Sequence, residues 1–133
     1  MSKMNPVVHF EMPAENKERI KTFYTNAFGW QMQQFGPEMG DYILVTTSEV
    51  GDDHFPKQRG TINGGFYPKN DNNSPHPSVV ISVDDINESI QKVKKAGGKV
   101  SGEPVDIPGI GMYVSFIDTE GNRLSMLQPS PQM

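Results

Sequence analysis

The sequence lacks cysteine and long hydrophobic runs, and it has no concentration of basic residues. Without cysteine, disulfides, thiolate nucleophiles and cysteine-ligated zinc sites are excluded. No apolar stretch has the length of a signal-peptide core or a membrane span, so we expect a cytoplasmic protein. The formal charge is -4, and acidic and basic residues are interspersed. This pattern favours neither nucleic acid nor a membrane surface as a partner.

Length and composition predict one folded domain. The chain has 133 residues, of which 35% are hydrophobic and 21% are charged. A chain of this length buries enough surface for a single core, and its composition differs from the low hydrophobicity and high charge of disordered chains.

The first half of the chain reads as strand, helix and three strands, which we place in a module of residues 6–68. Apolar residues predict a strand over 7–12, followed by a helix with N-cap Asn16 that ends at Gly29. Three further strands are expected over 30–35, 42–47 and 62–67. The polar segment 48–60 is either a mobile loop at a pocket mouth or a simple solvated loop.

The second half repeats the same order after a linker of turn-forming residues, 69–77. A strand over 78–83 precedes a helix with the capping pair Asp85 and Glu88, and short strands are expected around Val100 and over 112–117 and 123–128. The offset between His9 and Ser78 equals that between the two helix stops. We therefore predict an α+β duplication, with a second module of residues 78–128 and a pocket facing away from the helices.

Several motifs in the same order resemble one known family. These are PVVHFEMP at 6–13, FGW at 28–30, INGGF at 62–66, VDDI at 83–86, AGGKV at 96–100 and DTEGNRL at 118–124. Together they resemble the vicinal oxygen chelate superfamily, which contains glyoxalases, bleomycin-resistance proteins and dioxygenases, and they are most similar to its lactoylglutathione lyase-related members.

The resemblance implies two βαβββ modules whose mixed sheets curl around a cleft. It also implies a divalent metal held by one ligand from each of four strands. Those positions fall on His9, on Asn63 or Gly65, on Ser78, and on Ser125, with His76 as a substitute for Ser78 if the strand begins earlier. Only His9 is an ordinary metal ligand there. We therefore expect no tightly bound metal and no cofactor, and if a metal binds, His9 is its ligand.

His9 and Glu11 are the candidate catalytic residues, because they share one face of a strand and could exchange protons with a substrate. Alternatively, His9 is hydrogen-bonded in the pocket wall, and Glu11 balances the charge of Arg123. Aromatic residues, Tyr42 among them, could stack on a ligand or simply pack. The predicted pocket residues are His9, Glu11, Trp30, Asn63, Ser78, Tyr113, Arg123 and Ser125.

Asp52, Asp53 and His54 have side chains that can bind metals, but a solvated loop explains them better. The sequence favours a protein that binds a small molecule in the cleft, or a metal-independent enzyme. The alternatives are a metal-dependent lyase, isomerase or dioxygenase, and a purely structural module. The resemblance also implies a homodimer.

Overall fold

The computed structural model describes residues 4–53 and 56–131, which fall into two compact units. One unit spans His9–Pro77, and the other holds the described residues from Ser78 onward together with those before His9. Each unit combines one α-helix with a mixed four-stranded sheet, which confirms the predicted α+β class.

The first unit follows the predicted order of strand, helix and three strands. Its elements are β1 (Val7–Ala14), of which the first two residues are counted with the other unit, α1 (Lys17–Phe28), β2 (Gln31–Gln34), a short 3-10 helix (Pro37–Met39), β3 (Ile43–Thr46) and β4 (Asn63–Pro68). The strand order is β2-β3-β4-β1, with β1 and β4 parallel and the other neighbours antiparallel.

The second unit has the same plan. It contains β5 (Ser78–Ser82), α2 (Ile86–Lys95), β6 (Lys99–Ile107), β7 (Gly111–Ile117) and β8 (Arg123–Pro129). The order is β5-β8-β7-β6, again with the first and last strands of the module parallel.

Local chemistry sets the bounds of both helices as the sequence predicts. The Asn16 side chain accepts a hydrogen bond from Arg19 N at 2.9 Å, and the Asp85 side chain accepts one from Glu88 N at 3.0 Å. Gly29 ends α1 in the left-handed conformation, at a φ of 73°, where other residues are strained.

One strand was predicted wrongly: β6 is nine residues long, not a short strand around Val100. It contains Gly102 and Pro104, and these two residue types usually interrupt strands. The pairing with β7 shifts register between Ser101 and Val105, and this irregularity accommodates both residues. Because β6 lies at the end of the strand order, proline costs fewer hydrogen bonds there.

Each helix packs on one face of its sheet, and this leaves a second, more polar face. In the first unit Ile43, Val45 and Phe66 form the buried core, with Phe10 and Met12 of β1 packed against it. Because side chains alternate along a strand, His9 and Glu11 lie on the opposite face. In the second unit Val114, Phe116 and Met126 pack with α2, and Tyr113, Ser115 and Ser125 lie on the opposite face.

In the part that the structure describes, the segment between β3 and β4 is held by contacts between residues 49–50 and residues 56–57. Val50 pairs with Pro56, Lys57 N donates to Glu49 O at 2.9 Å, and the Lys57 and Glu49 side chains form an exposed ion pair. Asp52 and Asp53 are exposed, as a solvated loop requires, while His54 lies outside the described residues. Across residues 4–53 and 56–131, neither helix has the length and apolar character to cross a membrane.

Candidate functional site

A hydrogen-bonded chain of three side chains lies on the polar face of the first unit. Tyr42 immediately precedes β3, and its phenol oxygen lies 3.0 Å from His9 Nε2. The same hydroxyl donates to Glu11 Oε2 at 3.1 Å. Glu11 is only 6% exposed, so a polar partner is needed to offset its lost hydration. The structure therefore brings together His9 and Glu11, as the sequence predicts, through a tyrosine that links them.

Burial sets the charge state of His9. It lowers the pKa of the imidazole from 6.5 to about 4, because the charged form loses hydration. His9 is therefore a neutral imidazole at neutral pH, able to donate from one ring nitrogen and accept at the other.

Gly65 makes room for the tyrosine. A Cβ at Gly65 would overlap the Tyr42 ring, including its hydroxyl, so no other residue fits there without moving the ring. The ring therefore occupies the space that a side chain on β4 would fill.

The pairing registers of the two units identify equivalent positions. Glu11 pairs with Gly65, and Gly65 pairs with Leu44, whereas in the second unit Val80 pairs with Ser125, and Ser125 with Ser115. The equivalent of Ser125 is thus Gly65 rather than Asn63, which resolves the alternative left open by the sequence. By the same register, Tyr113 is the equivalent of Tyr42.

The second unit carries a cluster of hydroxyl groups at these positions. Tyr113 Oη lies 2.6 Å from Ser125 Oγ, and Ser115 Oγ lies 3.3 Å from the same atom. Ser125 is 3% exposed. Hydroxyl groups both donate and accept, so the cluster can form hydrogen bonds with a neutral or charged organic group.

Other predicted residues have different roles. Asn63 Oδ1 accepts hydrogen bonds from Thr47 N at 2.8 Å and Ser48 N at 3.1 Å, so its amide holds the end of β3. Ser78 opens β5 and is half-buried. His76 lies before β5 and is exposed, so the earlier strand start that would make it a substitute ligand is wrong. Arg123 opens β8, and its pairing with Glu11 stays a prediction.

Trp30 is a correction to the predicted pocket. Its ring stacks on Tyr24 of α1, with centroids 4.6 Å apart, and contacts Phe10 at 5.7 Å. It packs against the core on the helix side of the sheet, which is the face opposite to His9 and Glu11.

A separate cavity of about 290 Å³ lies where β1 ends and α1 begins. It is lined by Pro13, Ala14, Glu15, Asn16, Arg19, Ile20 and Phe23, none of which is a predicted site residue. Its position does not coincide with the polar face.

The side chains at the implied metal positions lack the ligands that a divalent metal requires. Within residues 4–53 and 56–131, no three His, Asp or Glu side chains are grouped so that they could hold a metal ion. His9 Nε2 is hydrogen-bonded to Tyr42, Gly65 has no side chain, and Ser125 is hydrogen-bonded to Tyr113. A catalytic metal needs about three protein ligands, with anionic oxygen for a hard cation. These residues do not fit such a metal.

The comparisons with known proteins agree on one family. The model of the Glyoxalase/Bleomycin resistance protein/Dioxygenase superfamily matches residues 7–126. A glyoxylase-like domain-containing protein of Didymella fabae is 30% identical over 113 residues, covering 84% of each chain. A "Putative glyoxylase" of Mycobacterium bovis is 40% identical over 57 residues, which are 43% of this chain and 22% of that protein. The matched segment thus covers about a fifth of the length of this mycobacterial relative.

A lactoylglutathione lyase of Arabidopsis thaliana is 25% identical, with 86% of this chain and 41% of that protein covered. Among solved structures, a hypothetical protein of Bacillus halodurans has a TM-score of 0.70 at 16% identity, covering 98% of this chain and 99% of that one. A Streptomyces coelicolor methylmalonyl-CoA epimerase variant, solved with 2-nitronate-propionyl-CoA, has a TM-score of 0.69 at 10% identity, covering 97% and 100%. At these identities the structural matches show the shared fold alone.

Proposed function

This chain belongs to the glyoxalase/bleomycin resistance protein/dioxygenase superfamily, and on that basis we propose that it binds a small organic molecule without a tightly bound metal. In the first unit the candidate binding surface is the polar strand face that carries His9, Tyr42 and Glu11. The second unit carries the hydroxyl cluster around Ser125 on its own polar face. For any reaction that follows binding, His9 and Glu11 are the candidate acid and base.

One observation carries this proposal: the Tyr42 ring fills the space above Gly65 and ties His9 to Glu11. The phenol in this position is a neutral group that forms hydrogen bonds, beside a β4 residue that has no side chain to bind a metal. Such a face suits an organic molecule, which is recognised by a few polar contacts and apolar surface, better than a doubly charged ion.

Isothermal titration calorimetry against a panel of metabolites and aromatic antibiotics tests the proposal. A coenzyme A thioester belongs in the panel, because the Streptomyces coelicolor epimerase was solved with one. We expect a saturable ligand whose affinity falls at least about tenfold in His9→Ala, which corresponds to the loss of roughly one good hydrogen bond.

Trp30→Phe is the matched control, since it alters an aromatic ring on the helix side of the sheet. It should leave the affinity unchanged in a folded protein. Binding that survives both His9→Ala and Tyr42→Ala, or that is lost in Trp30→Phe alone, contradicts this location of the site.

The alternative is a divalent-metal-dependent lyase, isomerase or dioxygenase. Two observations favour it: His9 lies at the first ligand position implied by the family resemblance, and an Arabidopsis thaliana relative is named a lactoylglutathione lyase. A stoichiometric metal that is lost in His9→Ala would promote this alternative above the first.

The proposal also includes a homodimer and a cytoplasmic location. Support for the dimer comes from superfamily membership. Sedimentation at micromolar concentration should give about twice the 14.8 kDa of one chain, and a species of 14.8 kDa alone would remove the dimer. Cell fractionation tests the location.

A further inference from the structure

The contacts of Tyr42 determine where its proton lies. Its hydroxyl donates to Glu11 Oε2 at 3.1 Å, and a phenol has a single hydrogen to donate. The same oxygen lies 3.0 Å from His9 Nε2, so at this second contact it can only accept.

The position of the imidazole proton follows from the direction of the hydrogen bond between Tyr42 and Glu11. His9 Nε2 must carry the hydrogen that Tyr42 Oη accepts. Since a neutral imidazole has only one N–H, Nδ1 carries a lone pair instead. Burial, which lowers the pKa of His9 to about 4, keeps the ring neutral at neutral pH. Without the tyrosine contact, nothing in this chain of hydrogen bonds would select between the two neutral forms.

We propose that Tyr42 is a positioning residue that fixes His9 with its proton on Nε2 and so makes Nδ1 the atom that accepts a hydrogen bond from the ligand. The part concerning the ligand rests on the proposed function. It narrows the ligand to molecules with a hydrogen-bond donor, such as a hydroxyl group or an amide N–H, because Nδ1 in this form cannot donate.

The tyrosine ring is itself held in place. It lies roughly parallel to the His9 ring, with centroids 6.5 Å apart and an interplanar angle of 23°. Gly65 leaves the space that the ring fills. Tyr42→Phe therefore keeps the ring above Gly65 and removes only the hydroxyl group.

Long-range proton–nitrogen correlation spectra of protein labelled with ¹⁵N-histidine, at neutral pH and without ligand, test the positioning. The His9 signals are assigned by their loss in His9→Gln. We expect the pattern of an Nε2-protonated ring in the wild-type protein, and a shift toward a mixture of the two neutral forms in Tyr42→Phe. Tyr24→Phe, which removes a phenol hydroxyl from α1, should leave the wild-type pattern unchanged.

A wild-type ring protonated on Nδ1, or an unchanged pattern in folded Tyr42→Phe, overturns the positioning role. The wild-type spectrum needs no substitution, so a variant that fails to fold cannot leave the question open. Because the measurement is made without ligand, its result is independent of whether the protein binds a small molecule.

The second arm adds N-methylacetamide, which has an N–H donor, or N,N-dimethylacetamide, which has none. We expect the Nδ1 resonance to move toward the position of a hydrogen-bonded nitrogen only with N-methylacetamide. No movement with N-methylacetamide, or equal movement with both, overturns the assignment of Nδ1 as the accepting atom while leaving the calorimetric test of binding untouched.

Discussion

At the scale of single residues, the arrangement of the site determines most directly that residue 65 is a glycine. Its backbone is not in the left-handed region, so steric contact with Tyr42 alone makes glycine necessary. Gly65→Ala should therefore reduce the free energy of unfolding by about 1–3 kcal/mol, the usual cost of overpacking. In a Tyr42→Ala background the same change should cost close to nothing. Urea unfolding of the four proteins measures the coupling.

Gly64→Ala is the control for this cycle. Its Cβ would overlap the Phe10 ring, on the opposite face of β4, so it should destabilise the protein equally with or without the Tyr42 ring. If Gly65→Ala and Tyr42→Ala prove additive, the ring does not occupy the space above Gly65.

His9 gives the stability of the protein a pH dependence. Its pKa is lowered from 6.5 to about 4, so between these values the unfolded chain binds a proton that the folded protein does not. The free energy of unfolding should thus fall as the pH drops from 6.5 to 4, by roughly 3 kcal/mol from this residue. Chemical unfolding at several pH values measures the fall, which should be smaller in His9→Gln.

His76→Gln provides the comparison, because His76 is exposed and lies outside the strands. It should keep the wild-type pH dependence. Parallel stability curves for wild type and His9→Gln would show that His9 is not desolvated in the folded protein.

At the scale of secondary structure, helix bounds follow from local chemistry and strand bounds do not. Asn16, Asp85 and Gly29 each act within one turn of their own helix, so their roles are readable from neighbouring residues. The length of β6 depends on pairing with β7, and no local pattern shows that Gly102 and Pro104 are accommodated there.

The position of Trp30, like the length of β6, does not follow from local sequence. Trp30 lies between the end of α1 and the start of β2, outside the regular alternation that would assign it to one face. Its place beside Tyr24 results from how α1 packs on the sheet, which the sequence predicts only as a general arrangement.

The N-cap of α1 should contribute measurably to stability. Asn16→Ala removes the acceptor for Arg19 N, and such a loss costs about 1 kcal/mol. Asn26→Ala makes the same substitution inside α1, where alanine is the better helix former, and should not destabilise. Thermal unfolding compares the two. Equal losses in both would mean that the cap hydrogen bond does not stabilise the helix.

At the scale of the whole molecule, the sequence predicts the duplicated βαβββ order and the α+β class, because hydrophobic period and turn residues repeat in each half. It also pairs His9 with Glu11 on one strand face. It could not predict that Tyr42 links them, since the contacts join residues 33 and 31 positions apart. The sequence nevertheless contains a signal. A tyrosine recurs at the equivalent place, Tyr113, and the residue of β4 that lies against the Tyr42 ring is a glycine, Gly65.

The register between strands decides whether Asn63 or Gly65 is the equivalent of Ser125. Asn63 and Gly65 share a face of β4, so alternation cannot choose between them. Only the pairing of Glu11 with Gly65, and of Val80 with Ser125, equates Gly65 with Ser125. That assignment puts a residue without a side chain where a metal-binding relative would need a ligand.

Elemental analysis tests this account most directly. The protein is incubated with zinc, nickel, manganese, cobalt and ferrous iron, dialysed, and its metal content is determined by plasma mass spectrometry beside that of His9→Ala. We predict metal contents far below one ion per chain and equal in the two proteins. His9 Nε2 is hydrogen-bonded to Tyr42, and Gly65 has no side chain that could act as a metal ligand. One retained ion per chain that is absent from His9→Ala would contradict the central claim.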